Sequence, residues 1–194
     1  MIVIQKRADV TPGTDLYYAR LAEFMVHSMD FGNNSVILEA GCGSGALTVP
    51  LLSQVNYSEY VCYDFYSGVY ENSLQEMLEK NLEVALIKGD VRKMSFRSES
   101  IDIIISNELL CELTRDDTQK AVAEFYRILK PGGTFIHGVL SPYPENKAQK
   151  LVILADKYSA EPVFPKEWFS PPADELAGML HRAGFSKISI EVVP

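Results

Sequence analysis

Short apolar runs alternate with stretches whose apolar residues recur at helical spacing along most of the chain. The nearly continuous run Ile101–Ser106 is typical of a parallel strand covered on both faces. Similar runs predict further strands at Ser35–Ala40, Glu59–Asp64, Val84–Lys88 and Thr134–Leu140. Apolar stripes and capping residues predict helices over residues 14–29, 46–55, 72–81, 118–130, 148–158 and 173–182.

The repetition of strand, helix and strand over residues 35–140 predicts an α/β fold. We expect a Rossmann-like, doubly wound, mostly parallel sheet with helices on both faces, because crossovers between parallel strands are right-handed. The final segment, Ser186–Val193, alternates apolar and polar residues, which predicts an antiparallel or edge strand. Ligands of such sheets bind beyond the carboxyl ends of the strands. The loops at residues 40–45, 64–70, 89–98, 106–117 and 140–172 are therefore the candidate site.

A glycine-rich loop, Glu39–Gly45, follows the first predicted strand of this repeat and precedes a predicted helix. Glycines let the backbone turn tightly and approach a ligand without a Cβ in the way. The following helix would offer free N–H groups to an anion. The glycine pattern of the loop also fits the GxGxxG/A motif, although this motif alone is weak evidence for a ligand. The alternative is a glycine-rich turn that binds no ligand.

An aspartate, Asp64, ends the second predicted strand of the repeat, about twenty residues after Gly41. An acid at this distance suits the two hydroxyls of an adenosine ribose. The alternative is a strand-end aspartate that caps the next turn. The two signals together favour a nucleoside ligand.

Composition narrows the choice of partner. The chain has 194 residues, the size of one domain, and a net charge of −8, so it is a poor general binder of nucleic acid or anionic membranes. Three widely spaced cysteines predict neither disulfides nor a metal site, and they favour a cytoplasmic location. We expect no signal peptide and no membrane span. A cluster of basic residues could touch phosphate but is typical of a solvated loop: Lys88, Arg92, Lys93 and Arg97.

These motifs resemble the class I S-adenosylmethionine-dependent methyltransferases of the small-molecule type. The resemblance rests on VILEAGCGSG at 36–45, Asp64, IKGDVRKMSF at 87–96, ILKPGGTF at 128–135 and a helix-and-turn segment at 168–185. It implies a single domain over residues 1–194. It also implies an N-terminal helical lid at 1–34 and an insertion at 141–172 that covers the acceptor.

The resemblance implies S-adenosylmethionine as cofactor and S-adenosylhomocysteine as product. Gly41 and Gly43, with Cys42 between them, would pass under the methionine part, and Glu39 would hold the loop and the ammonium group. Asp64 would accept the ribose hydroxyls. The remaining implied contacts are Asp90 and Val91 at the adenine, Phe65 packed on it, Asn107 near the methyl group, and Tyr17 on the lid.

Methyl transfer from a sulfonium needs mainly orientation, and a base only if the acceptor must lose a proton. Glu108 is a candidate base, and the alternative is a loop carboxylate that faces water. Tyr17 is a second candidate near the acceptor, because Tyr18 lies on the apolar stripe of its helix and is expected in the core. His137 lies on a predicted strand and is expected to be a core residue rather than a base.

The predicted partner is a small-molecule acceptor, and the chain is expected to be a monomer or homodimer. A methyltransferase that acts on RNA or protein and a non-catalytic cofactor-binding module are the alternatives. The family usually ends with two strands after the helix near 173–182, whereas only one is predicted here. The last hairpin is therefore truncated, or Ile2–Ile4 supplies an edge strand.

Overall fold

The computed structural model describes residues 2–5, 15–66, 77–140 and 171–193, with 147, 150, 151, 154 and 158 between the last two segments. The strands in these residues are Ile2–Gln5 (β1), Val36–Ala40 (β2), Glu59–Asp64 (β3), Ala85–Lys88 (β4), Ile101–Asn107 (β5), Leu129–Leu140 (β6) and Ile190–Val193 (β7). The α-helices are Asp15–Ser28 (α1), Thr48–Leu52 (α2), Arg115–Ile128 (α3) and Ala173–Ala183 (α4), with a 3₁₀ turn at Leu110–Glu112.

The strands form one sheet in the order β4-β3-β2-β5-β6-β1-β7, and neighbouring strands run parallel. The chain moves outward in one direction from β2 to β4 and in the other from β5 to β6, so the order reverses between β2 and β5. Ala40 at the end of β2 pairs with Tyr63 on one side and Ser106 on the other. The carboxyl ends of the central strands therefore lie together at the switch point, where doubly wound sheets bind ligands. The predicted fold class is confirmed.

The sheet ends differently from the prediction for the last strand. β7 lies at the edge, as one alternative proposed, but it runs parallel to β1, so the antiparallel alternative is wrong. A helix, α4, precedes β7, so that the chain can enter β7 from the end of the sheet at which the other strands begin. Parallel strands are connected in this way. The segment Ile2–Gln5 joins the sheet between β6 and β7.

The core has two layers, one on each face of the sheet. Neighbouring strand residues point to opposite faces, so Leu38 and Ile104 pack against α3 and α4, whereas Ile37 and Ile105 pack against α1 and α2. Phe125 of α3 is fully buried in the first layer. α1 thus packs on the sheet as a core helix.

Several predicted boundaries move. α3 begins at Arg115 instead of 118, because the Thr114 side chain accepts a hydrogen bond from the Asp117 N–H and caps the helix. β6 begins at Leu129, so the Pro131–Gly133 turn expected between helix and strand lies within the strand. α2 is shorter than the predicted 46–55. The predictions for residues 67–76, for most of the helix at 148–158 and for nearly all of the insertion at 141–172 lie outside the described residues.

Candidate functional site

A cleft of about 560 Å³ opens at the carboxyl ends of β2, β3, β4 and β5. All of the predicted site residues except Tyr17 line it: Glu39, Gly41, Cys42, Gly43, Asp64, Phe65, Asp90, Val91, Asn107 and Glu108. These residues come from four separate loops, and the parallel sheet brings the loops to one edge. The structure thus places them along one cleft, while their contacts with a ligand stay a prediction.

The glycine-rich loop has a backbone that side chains would disturb. Gly41 has φ +72°, and a Cβ there would lie 2.8 Å from Leu109 Cδ1. Gly43 has φ +51°, and a Cβ there would meet nothing within 4 Å, because this residue borders the open cleft. The loop is held on the sheet side by the Gly41 N–H, which donates to the Tyr63 carbonyl oxygen at 2.8 Å. Its other face is left to the cleft, as a ligand cradle requires.

Asp64 carries out the capping role that was its alternative assignment and still has capacity for a ligand. Its Oδ2 accepts the Gly43 N–H at 2.9 Å, and its Oδ1 accepts the Tyr66 N–H at 2.9 Å. A carboxylate has about four acceptor sites, two on each oxygen. One site therefore remains on each oxygen, which matches a pair of neighbouring hydroxyl donors.

Glu39 is a buried carboxylate at the floor of the cleft, with 2% of its surface exposed. Its Oε2 accepts hydrogen bonds from Thr48 Oγ1 at 2.6 Å and from the Tyr60 hydroxyl at 2.7 Å. Burial raises the pKa of Glu39 to about 7, against the two hydrogen bonds, which lower it. The nearby Asp64 adds a smaller upward shift. A cation in the cleft would favour the ionised form of this carboxylate.

The four residues of the basic cluster are exposed, as expected, and Arg92 also borders the cleft. Its side chain lines the cleft and lies between two acids, Asp90 of the same loop and Asp117 in the first turn of α3. The hydrogen bonds from Arg92 lower the pKa of Asp90, so this carboxylate stays ionised. The part of the cleft where the sequence predicts the adenine is therefore lined by an ion-paired cluster.

Glu108 follows β5 in a strained backbone conformation, with φ +54°. Its N–H donates to the Gly138 carbonyl oxygen at 2.9 Å. The Glu108 Oε1 accepts from the Tyr17 hydroxyl at 3.4 Å, and Oε2 accepts from Cys111 Sγ at 3.5 Å. The side chain is partly buried and lines the cleft, so it is more than a carboxylate that faces bulk water.

The roles expected for the two tyrosines of α1 are exchanged. Tyr17 is 2% exposed and belongs to the core, whereas Tyr18 is half-buried and lines the cleft. The buried stripe runs through Tyr17, Leu21 and Met25. Leu21 and Met25 lie on the predicted stripe, but Tyr17 takes the place expected for Tyr18 and is equally helical in spacing. The Tyr17 hydroxyl still reaches the site, at 3.5 Å from Asn107 Oδ1. Burial, and then Glu108, raise the pKa of Tyr17, so it stays a protonated donor.

His137 is a core residue, as expected. It is 1% exposed, and its Nδ1 lies 2.7 Å from Ser106 Oγ. Burial lowers the pKa of His137 to about 3, so the ring is neutral at physiological pH. It does not line the cleft.

The connection between β5 and α3 forms a wall of the cleft with the first turn of α3, and five residues of this wall were not predicted individually. Only the loop as a whole was expected there, and the residues it adds are Leu109, Glu112, Leu113, Thr114 and Asp117. The helix-capping threonine and the acids of the next turn were visible in the sequence, but their direction depends on the 3₁₀ turn at Leu110–Glu112. They leave the cleft rich in carboxylates.

No group of three or more histidine, cysteine or acidic side chains is placed to hold a metal ion within the part of the chain that the structure describes. None of the helices in those same residues is long and apolar enough to cross a membrane.

Known proteins resemble this chain in sequence. The model of the methyltransferase domain family matches residues 37–133. The malonyl-acyl-carrier-protein O-methyltransferase of Priestia megaterium is 30% identical over 141 residues, with 69% of this chain and 50% of that protein covered. The sterol 24-C-methyltransferase of Debaryomyces hansenii is 26% identical over 121 residues, with 60% and 31% covered. The chain thus spans half or less of the length of these curated relatives.

Solved structures share the fold. A protein from Methanococcus maripaludis, assigned provisionally as an S-adenosyl-L-methionine-dependent methyltransferase, superposes with a TM-score of 0.68 at 24% identity. The superposition covers 91% of this chain and 80% of that one. With its family-model match, its parallel sheet and its glycine-rich switch-point loop, the chain belongs to the methyltransferase domain family and has a Rossmann-like methyltransferase fold.

Proposed function

We propose that the cleft binds S-adenosylmethionine and that the protein transfers its methyl group to a small-molecule acceptor, leaving S-adenosylhomocysteine. One observation carries the proposal. Three acids at the ends of three neighbouring strands, Glu39, Asp64 and Asp90, line one cleft together with the loop Gly41–Gly43. Doubly wound sheets bind ligands at this switch point, and the combination supplies a close approach of the backbone together with acceptors for hydroxyl and amino donors.

The polar groups present match the polar groups of the cofactor. Asp64 keeps one acceptor site on each oxygen, which suits the two ribose hydroxyls. Glu39 would face the ammonium group, since a buried carboxylate is best compensated by a cation. Gly43 leaves open space where a side chain would otherwise stand. Asp90 would accept from the adenine amino group, and Phe65, which is 54% exposed, offers a ring for the base.

When bound, the cofactor supplies a methyl group on a sulfonium, an activated centre that a nucleophile can attack in line. The protein's contribution is then to orient the two reactants, and good orientation can supply about 7–11 kcal/mol. Asn107, Glu108 and Tyr18 line the end of the cleft formed by β5 and α1, and we assign them to the acceptor side. Glu108 would accept a proton only for an acceptor that must lose one.

A small acceptor fits the charge of the molecule better than RNA does. The net charge is −8, and the cleft wall carries Glu39, Asp64, Asp90, Glu108, Glu112 and Asp117 against the guanidinium of Arg92. A phosphate backbone would be repelled by such a wall. The relatives named above act on a carrier-bound malonyl group and on a sterol, which supports an organic acceptor. The residues on the acceptor side of the cleft would determine which acceptor is methylated.

The test is the affinity of Asp64→Ala for S-adenosylhomocysteine, measured by calorimetry. Loss of the carboxylate leaves two hydroxyls without a partner, so we expect binding to weaken by about 1–3 kcal/mol. Asp174→Ala is the matched control, because Asp174 is exposed in the first turn of α4 and does not line the cleft. An affinity for Asp64→Ala equal to that of the control would remove Asp64 from the site.

A further inference from the structure

Arg92 is exposed at the edge of the cleft and makes several hydrogen bonds to two neighbouring acids. Its Nε donates to both oxygens of Asp90, at 2.9 and 3.0 Å, and its Nη2 donates to Oδ2 at 2.7 Å. The backbone N–H of Arg92 donates to Asp90 Oδ1 at 2.9 Å. Its Nη1 reaches Asp117 Oδ2 at 2.9 Å. One guanidinium therefore grips one carboxylate in a fork and ties it to α3.

The loop does not need this fork to stay in place. Arg127 of α3 donates to the carbonyl oxygens of Met94 and Phe96 at 3.0 and 2.9 Å. Glu124 accepts the Met94 N–H at 2.8 Å and pairs with Arg127. These bonds fix the same loop to the same helix from inside. The specific effect of Arg92 is thus on the direction of the Asp90 carboxylate.

The Asp90 carboxylate keeps about one hydrogen-bond acceptor site that Arg92 does not occupy. A carboxylate has about four acceptor sites. Three hydrogens occupy about three of them: those of the Arg92 backbone N–H, of Nη2 and of Nε, whose single hydrogen is shared between the two oxygens. The Asp90 side chain is 34% exposed and lines the cleft, so the remaining site is accessible. One accessible acceptor with a fixed direction suits a single N–H donor.

We propose that Arg92 is a positioning residue for nucleobase selection: it fixes Asp90 so that the cleft accepts a 6-aminopurine and rejects a 6-oxopurine. The inference rests on the proposed function. A 6-oxo group would bring an oxygen toward the fixed acceptor, which is repulsive. A carboxylate released from the fork could instead turn to the neighbouring N1–H of a 6-oxopurine, and discrimination would fall.

The test compares two neutral ligands, S-adenosylhomocysteine and S-inosylhomocysteine, by calorimetry on the full chain. The two ligands have the same net charge. A change in the electrostatic field of the cleft therefore affects both affinities alike and cancels in their ratio. The variants are Arg92→Lys, which keeps the charge and loses the fork, and Arg92→Met, which loses both. Lys93→Met is the control, because Lys93 is exposed on the same loop and does not line the cleft.

We expect the protein and Lys93→Met to prefer the adenosyl ligand by about 30-fold, as for an unmet polar contact in a half-exposed site. Both Arg92 variants should reduce the preference to about threefold or less, with melting temperatures that show a folded protein. Asp117→Asn, which loosens only the far end of the fork, should give an intermediate ratio.

A preference unchanged in Arg92→Lys and Arg92→Met would overturn the inference, and so would an unmutated protein that binds both ligands equally. In either case the protein still binds S-adenosylhomocysteine, so the proposed function survives. An unmutated protein that binds neither ligand would overturn the proposed function itself.

Discussion

The two sides of the cleft are built in different ways. On the cofactor side, carboxylates are fixed by short hydrogen bonds, such as the 2.9 Å bonds from backbone N–H groups to Asp64 and the 2.6 Å bond from Thr48 to Glu39. On the acceptor side, Glu108 is held by the longer contacts of 3.4 Å from Tyr17 and 3.5 Å from Cys111. From these contacts we propose that the cofactor side is the more rigid of the two and that the acceptor side adapts more readily to its ligand.

The largest effect is expected from Gly41→Ala. The new Cβ would lie 2.8 Å from Leu109 Cδ1 at a residue with φ +72°, so loop and neighbour must both move. We expect S-adenosylhomocysteine affinity to fall more than about 100-fold and stability to fall by about 1–3 kcal/mol. Gly132→Ala is the control, because Gly132 has φ +83° with nothing within 4 Å of its Cβ position. Gly132→Ala should lower stability without lowering the affinity. Equal affinities of the two variants would contradict the role of the glycine-rich loop as a ligand cradle.

A pH effect should come next, from Glu39. Its pKa is about 7 in the folded chain against an ordinary value of 4.5, so the folded state holds the proton more tightly. The free energy of unfolding should therefore fall as pH rises from about 4.5 to 7 and then level off. Glu39→Gln should remove this slope in urea titrations across that range.

Cofactor binding should show the opposite trend, because the cofactor's ammonium group favours the ionised form of Glu39. We expect affinity to rise at least about tenfold between pH 5 and 7, with proton release on binding. Calorimetry in two buffers of different ionisation enthalpy measures that release. A pH-independent affinity would separate Glu39 from the ligand.

A pair of hydroxyl deletions compares the two sides directly. Tyr60 donates to Glu39 at 2.7 Å, whereas Tyr17 donates to Glu108 at 3.4 Å, and both rings are buried. At pH 8, we expect Tyr60→Phe to cost about 1.5–3 kcal/mol of stability and Tyr17→Phe less than about 1 kcal/mol. Equal losses in urea unfolding would mean that the two sides do not differ in rigidity.

The sequence predicts most of the cofactor side because its signals are local. The loop Glu39–Gly45 begins in the last residues of β2, and Asp64 is the last residue of β3, so strand identification also places them at one edge of the sheet. The acceptor side is harder to predict, because a shift of one residue along a helix changes which side chain faces the cleft. Tyr17 and Tyr18 both fit a helical stripe, and packing of α1 in its core layer decides which one is buried.

Tertiary pairings account for the rest of what could not be predicted. Arg92 and Asp117 are distant in sequence and meet because α3 lies beside the loop after β4. β7 was expected to be antiparallel or at an edge, and its direction depends on pairing with β1 at the other end of the chain. Neither contact has a local signature.

The most direct test of the central claim is a thermal unfolding experiment with the unmutated protein and two nucleoside ligands. At about 100 times its dissociation constant, S-adenosylhomocysteine should add about 2.7 kcal/mol to the free energy of unfolding, whereas NADH should add nothing. A melting temperature raised by S-adenosylhomocysteine alone is the predicted result. A melting temperature that S-adenosylhomocysteine leaves unchanged would contradict the proposed cofactor site.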